Sequence, residues 1–269
     1  MNKYGWLLFL FLLTSAGSFA QNQDTAAFQP DSLQADSTLQ ILSFDLNPSQ
    51  GFNFWEERFK GNWAGVFLAV NDFDRADYSM YNGSEDGFLE TSLWKSNSLS
   101  INPIQVSMRL QRNRNFIGLV TGLGLDLQSY RLDAATSIRK GEQGIEPVHL
   151  SYEDNQKSKF SSTYLTLPLL LEFQIPMGNY NRRLYFSGGV IGSLRLASHT
   201  KVKYRIDGKR QKLKTPGDFY LRDTRLSGTI RMGYRWINLF ATYDFYPLFK
   251  DDRGPVLYPF SVGVGLVKF

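Results

Sequence analysis

Along most of this chain hydropathy alternates with a period of two, in runs of ten residues or more. Between Thr224 and Arg235, Leu226, Gly228, Ile230, Met232 and Tyr234 fall on one face, and Arg225, Ser227, Thr229, Arg231 and Arg235 on the other. That period belongs to an extended strand. It recurs at about 62–71, 101–110, 115–131, 164–176, 183–205, 237–246 and 258–269, which makes eight predicted strands. Soluble strands run to about five or six residues, whereas a tilted membrane-crossing strand needs about 9–11. The connections alternate in length: 72–100, 132–161, 206–221 and 247–257 are long, while 111–114, 177–182 and Trp236 alone are short. Long strands, an even count and alternating long and short connections predict an all-β fold. It is an eight-stranded antiparallel up-and-down transmembrane β-barrel with short periplasmic turns and long outer loops.

A soluble barrel or sandwich is the competing fold. Two observations count against it. The polar face is rich in Gly, Ser and Thr rather than Lys and Glu, and the apolar face of the four central strands carries essentially no charge. Such a face left in water would aggregate. Aromatic side chains fall near both strand ends, as in interfacial belts. Trp63, Phe116, Tyr185, Tyr234, Trp236 and Phe269 are expected at the periplasmic rim, and Tyr130, Tyr164, Tyr204, Tyr246 and Tyr258 at the outer rim.

The N-terminus predicts export. Lys3 precedes the apolar run Trp6–Leu13, and Ser18-Phe19-Ala20 offers the small residues that a signal peptidase reads. The run is about half the ~20 residues of a membrane-spanning helix. The expected organisation is a signal peptide at 1–20, a polar and partly disordered periplasmic extension at 21–61, and the barrel at 62–269. Within the extension, 41–61 is more apolar and has no assigned partner. The expected location is the cell outer membrane. The absence of cysteine excludes disulfides, thiolate metal sites and thiol catalysis. A net charge of +5, which falls by one when Lys3 leaves with the leader, is too mixed to imply nucleic acid.

The stretch Tyr164-Leu165-Thr166-Leu167-Pro168-Leu169-Leu170-Leu171 resembles a strand of the PorT-like outer-membrane β-barrel proteins of Bacteroidota. Gly188-Gly189 fits the same family, as do Phe240-Ala241-Thr242-Tyr243 ahead of Pro247-Leu248-Phe249, and the closing Gly-x-Gly strand. Phe59-Lys60-Gly61-Asn62-Trp63-Ala64-Gly65 looks like the family's entry into its first strand. The resemblance covers about 59–269 and departs from many relatives at Thr166, where they carry an acid. It implies a small outer-membrane barrel. The namesake is linked to protein secretion and surface-protein maturation, and no residue here specifies that role. The terminal Phe269 is the expected signal for the barrel-assembly machinery.

Eight strands enclose a space that side chains fill. Inward charges are expected at Arg109, Asp126, Glu172, Arg195, Arg225, Arg231, Asp244 and Lys268, because Arg or Lys facing mid-membrane lipid costs about 2–4 kcal/mol. Buried charges need partners, so Glu172 and Asp244 are expected to pair with Arg195 and Arg231 and close the lumen. The alternative is a narrow ion-selective passage, with room left by inward Gly118, Gly122, Gly124 and Gly189. A lipid A-modifying enzyme is the third reading. It would need a His with a Ser, and His199 beside Ser198, with Ser193 nearby, is the conceivable dyad; His149 lies in a loop. No spacing motif supports it, so the expectation is a non-enzymatic scaffold or interaction protein with no cofactor.

Asp72, Asp74, Asp77, Glu85 and Asp86 read as a solvated acidic loop, out of register for calcium. Lys201, Lys203, Arg205, Lys209, Arg210, Lys212 and Lys214 form a basic connection that would meet lipopolysaccharide phosphates or a protein partner. Arg139, Lys140, Glu142, Glu146, Glu153, Asp154, Lys157 and Lys159 read as an exposed mixed-charge loop.

Overall fold

A computed structural model describes residues 59–81, 87–111, 116–133, 136–150, 157–177, 183–206 and 209–268, together with the backbone of 37–41 and 44–46. The expected signal peptide, residues 21–36, Glu85, Asp86, Glu153, Asp154 and Phe269 lie outside the described residues. The strands are β1 (Ser37–Ile41), β2 (Phe44–Leu46), β3 (Gly65–Asp77), β4 (Asn97–Arg109), β5 (Ile117–Arg131), β6 (Thr136–Lys140), β7 (Ile145–His149), β8 (Lys157–Pro176), β9 (Arg183–Ile206), β10 (Lys209–Pro216), β11 (Thr224–Tyr234), β12 (Ile237–Asp244) and β13 (Val256–Lys268). Among the described residues there is no α-helix, only a 3-10 turn at Leu93–Lys95.

Eight strands close a ring in the order β3-β4-β5-β8-β9-β11-β12-β13, each antiparallel to its neighbours. Closure leaves the ring no open edge. The alternation read from the sequence sets its faces. Arg225, Ser227, Thr229 and Arg231 point in and Leu226, Ile230 and Met232 point out: Ile230 is 57% exposed and its neighbour Arg231 only 4%. Burial is inverted relative to a water-soluble sheet, with leucines around the outside and serines, threonines and guanidinium groups within. Lipid is the solvent that makes this arrangement favourable.

Three features depart from the expected boundaries. The first is strand length: β8 begins at Lys157 rather than about 164 and β3 runs on to Asp77, while β9 spans Arg183–Ile206, close to the expected 183–205. Lys157 and Lys159 therefore stand on β8 rather than in a loop, and Asp72, Asp74 and Asp77 stand on β3. A β-bulge accompanies the extension. Thr163 pairs with Ala197 and Tyr164 with Arg195, so Leu196 is the extra residue on β9. A bulge reverses the alternation beyond it. Below it Arg195 points inward; above it Ser198, Thr200 and Val202 are buried and the lysines at 201 and 203 face outward.

The second departure is at the loop end. The long connections are not simply exposed there. Phe88, Leu132, Ile138, Ile145, Phe219, Leu221, Leu248 and Phe249 join Tyr130 and Phe160 from the strands in one buried cluster. The β6–β7 hairpin, part of the expected mixed-charge loop, folds into this cap. Thr136 Oγ1 donates to the Phe88 carbonyl (2.8 Å), Tyr81 Oη to that of Ile145 (2.9 Å) and Tyr220 Oη to that of Gly141 (2.9 Å). Tyr130 and Tyr164 were expected at the outer rim; both point inside and are fully buried.

The third is at the short-turn end, where Phe59–Ala64 turns into the lumen. Phe59 and Trp63 pack against Val120, Leu170 and Ile191. Trp63 and Tyr185 are thus interior residues rather than members of an interfacial belt, whereas Phe116 and Trp236 are exposed, Trp236 at 76%. On the wall beside this entry, β1 pairs with the lower part of β4, Ile41 with Ile104 and Ser37 with Met108, and β2 pairs with β1.

Candidate functional site

The lumen holds most of the charges singled out from the sequence, in two separate groups. The lower group is built around the segment 59–64. Glu172, fully buried on β8, accepts hydrogen bonds from the Asn62 backbone N–H (3.0 Å), Asn62 Nδ2 (2.6 Å) and Gln174 Nε2 (2.6 Å). Gln105 Oε1 accepts from the backbone N–H groups of Trp63 (2.6 Å) and Ala64 (2.9 Å), and Gln105 Nε2 donates to the Gly61 carbonyl (3.0 Å). Gln174 Nε2 also donates to the Lys60 carbonyl (2.6 Å), and Lys268 Nζ donates to Asn62 Oδ1 (2.5 Å). A segment without sheet partners thus has backbone groups satisfied by side chains of the wall, as burial demands.

Two inward glycines make room for it. A Cβ on Gly118 would stand 2.3 Å from Phe59 Cε1; one on Gly122 would meet the Ile104 carbonyl first, at 2.1 Å, and then Trp63 Cδ1 at 2.9 Å. The space those glycines leave is occupied by the rings of Phe59 and Trp63 rather than open to a passage.

The middle group differs from the expected pairing. Asp244 forms its ion pair with Arg225, not with Arg195 or Arg231, and also accepts from Ser227 Oγ (2.6 Å). Arg225 Nη1 donates to Gln128 Oε1 (2.9 Å), and its guanidinium lies 4.3 Å from the centre of the Tyr164 ring. Asp126 accepts from Ser100 Oγ (2.9 Å) and Gln128 Nε2 (2.8 Å). Arg231 has no carboxylate partner among the described residues. It stacks among aromatic rings instead, 4.2 Å from Phe67, 4.8 Å from Trp63 and 5.6 Å from Phe240. The cation–π attraction of a desolvated guanidinium is worth about 2 kcal/mol or more, and it ties β11 to the inserted segment.

Arg195 belongs to neither group. It lies at the loop end, bound to Asp218 and Asp223 and, through Nη1, to Ser198 Oγ at 3.2 Å. Burial raises the Asp223 carboxyl. Hydrogen bonds and charge from Lys250 (3.0 Å) and Arg195 outweigh it and hold the group below its ordinary value. Arg109 stands at the short-turn end of β4 opposite Gly118, which on its other side stands opposite Glu172.

Between the lower group and the cap remains a cavity of about 50 Å³, lined in part by Trp63, Asp126, Thr229, Arg225 and Arg231. That is room for a few water molecules, since one needs about 10–15 Å³ by the same measure, and not for an organic ligand. The conceivable catalytic dyad is not brought together. Ser198 points inward and donates to the Gly217 carbonyl (2.5 Å), Ser193 lines the cavity, and His199 lies on the outward face. Partial burial pushes the His199 imidazole below its ordinary pKa, and Lys214 and Lys201 push it further. His149 ends β7, in register with Thr136. Asp72 accepts from Thr91 Oγ1, Asp74 from Tyr243 Oη (3.2 Å). Among the described residues no cluster of acids and histidines has the form of a metal site.

The basic connection is a hairpin of β9 and β10. Lys201 is in register with Lys214, Lys203 with Lys212, Arg205 with Arg210 and Ile206 with Lys209. It continues the wall of the barrel above the apolar band.

Sequence reasoning missed the inserted segment. Its composition, Phe59-Lys60-Gly61-Asn62-Trp63, gave no period to follow. The available signal was the run of inward glycines on one strand, Gly118, Gly122 and Gly124. Comparison with known families agrees with the barrel: the family described as outer membrane protein beta-barrel domain matches residues 43–250, a span that takes in the first seven strands of the ring. Neither a curated protein nor a solved structure matches the chain. An eight-stranded ring with lipid-suited leucines outside, matched over well more than half its length, places this chain in the outer membrane protein beta-barrel domain family.

Proposed function

We propose that this outer-membrane barrel is a non-enzymatic scaffold or interaction protein with a permanently filled lumen, of the PorT-like kind. Export by residues 1–20, insertion by the barrel-assembly machinery and a secretion or envelope-assembly role belong to the same reading. With Phe59 and Lys268 at the short-turn end, read as periplasmic, the chain offers its capped loops outside and residues 21–58 inside as surfaces for a protein partner. The observation that carries the reading is the double seal. Phe59–Ala64 fills the lower lumen through hydrogen bonds to Glu172, Gln105 and Gln174, and the aromatic cluster around Tyr130 and Phe160 fills the upper. Between them lies a cavity of only about 50 Å³.

The test is planar-bilayer recording on the mature protein, after heat-modifiable gel mobility has shown that it is folded. No conductance steps above the bare bilayer are expected. Steady steps that shift when Glu172 is replaced by Gln would overturn the scaffold in favour of a small channel. A lipid A mass change that disappears in His199→Ala would overturn it in favour of an enzyme. Cross-linking from residues 21–58 then identifies the partner.

A further inference from the structure

We propose that the outward face of β5, β8, β9 and β10 above the apolar band binds the phosphate groups of an anionic glycolipid of the surrounding leaflet. The inference rests on the outer-membrane placement proposed above.

Strand register carries the argument. Lys159 of β8 pairs with Arg131 of β5 on one side and Lys201 of β9 on the other, and Lys201 pairs with Lys214 of β10. Four cations stand in one row across four strands. One step further from the barrel, Lys157, Lys203 and Lys212 form a second row in the same way. Residues directly opposite each other on antiparallel strands share a face with Cβ atoms about 4.5–5.5 Å apart, and like charges there are destabilising. A fold that places seven cations so has some external group to offset them.

No carboxylate among the described residues supplies that group. No ion pair joins any of the seven to a carboxylate among the described residues. They cannot turn inward, because the alternate positions Ser158, Phe160, Thr200 and Val202 are buried under the cap. Lys159 registers the crowding: partial burial, then Arg131, Lys203 and Lys201, hold its ammonium below the ordinary lysine value.

Continuity with the apolar band selects a lipid as the occupant. Down the same faces the cation rows give way to Ser129, Ser161 and His199, which lie in register, and then to Leu127, Leu125, Leu165 and Leu194, all lipid-facing. Leu127 and Arg131 are four residues apart, about 14 Å along a strand and about 10 Å along the membrane normal at a tilt near 40°. That level is the headgroup layer. Acyl chains lying on the leucines bring headgroup phosphates to the lysines, and no divalent cation is then needed to bridge those phosphates. A soluble polyanion would use the charges and leave the leucines unused.

The experiment uses the full mature chain in zwitterionic nanodiscs, titrated with bis-phosphorylated lipid A, with lipid A stripped of phosphate, and with soluble tripolyphosphate. Bound lipid is counted by native mass spectrometry. The first probe is expected to bind, and its binding to weaken with salt. Lys159→Gln/Lys201→Gln/Lys214→Gln should weaken it on the order of a hundredfold, at about fivefold per charge near a membrane surface. Replacing the same three lysines by Arg should preserve it, and unchanged heat-modifiable mobility reports that each variant is folded. Equal binding by the Gln variant, equal binding of phosphate-free lipid A, or tripolyphosphate binding as tightly as the lipid each overturns the proposal. A protein that stays soluble without detergent defeats the membrane reading itself, which is a different result from a detergent-dependent barrel that ignores lipid A.

Discussion

Replacing Asn62 by Ala tests whether the segment 59–64 is held in the lumen as described. Asn62 contributes a side-chain donor to Glu172 at 2.6 Å and accepts from Lys268 at 2.5 Å, in a site where Glu172 has no access to water. A hydrogen bond to a charged group contributes about 1.5–3 kcal/mol, and the Ala variant leaves Glu172 with two donors, the Asn62 backbone and Gln174. Asn62→Ala should therefore lower the unfolding free energy by about 2 kcal/mol or more. Urea titration of the vesicle-folded barrel, followed by tryptophan fluorescence, measures it. The decisive quantity is the double-mutant cycle with Glu172→Gln. The two changes should fail to add by about 1 kcal/mol or more, since they share one interaction. Additivity within about 0.5 kcal/mol is what independent sites give, and it would refute the seated segment.

Gly118→Val should destabilise the barrel by about 1–3 kcal/mol through overpacking, because the added carbon meets the Phe59 ring; Phe59→Ala in the same chain should restore much of the loss, read from the temperature of the gel-mobility shift. Arg225→Met leaves Asp244 buried and unpaired and should cost about 3–5 kcal/mol, while Arg225→Met/Asp244→Leu should recover most of it. Asp223 has a lowered carboxyl pKa when folded, so its contribution is present above the unfolded value of about 3.9 and lost as pH falls through the folded value. Amide exchange in residues 217–223 should accelerate in that acid range in the native protein, and Asp223→Asn should already be fast at pH 6. An Asp223→Asn variant that matches the native protein at both pH values would remove Arg195 and Lys250 as the bracing contacts.

The ring itself was legible because two solvents act on each strand. Lipid demands Leu226, Ile230 and Met232 on one side, while a crowded lumen demands Ser227, Thr229 and Arg231 on the other, and both signals have a period of two. What lies beyond the membrane was less legible. The extra residue Leu196 reverses the alternation of β9, and the lysines above it would point into the lumen if the lower phase were continued. Tyr130 and Tyr164 were expected in an outer belt; both point inward, and Tyr164 lies level with Asp126 in the middle of the lumen. The parity of Tyr164 with Thr166 and Pro168 already marks it as inward. The inserted segment was hidden for a different reason. Its partners are remote in sequence, Glu172 being 110 positions from Asn62 and Gln105 42 positions from Trp63. No local pattern encodes contacts of that span. The charges were identified as a set and not as pairs, because register alone decides that Asp244 meets Arg225.

The bond from Lys268 to Asn62 joins the last strand to the segment ahead of the first. In the seam Lys268 stands opposite Gly65, whose φ of 148° lets the chain leave the lumen and enter β3. Sliding β13 by two residues along β3 would keep Leu68 and Leu266 on the lipid-facing side, so the alternation of the apolar band does not penalise that error. It would carry the ammonium about 7 Å from Asn62, and Glu172 would lose the cation nearest to it on β13. The filling of the lumen thus acts as a proofreader of the final closure: a barrel zipped in the wrong frame is left with an unlatched segment and a buried acid lacking its counter-charge, and so remains free to reopen and close again.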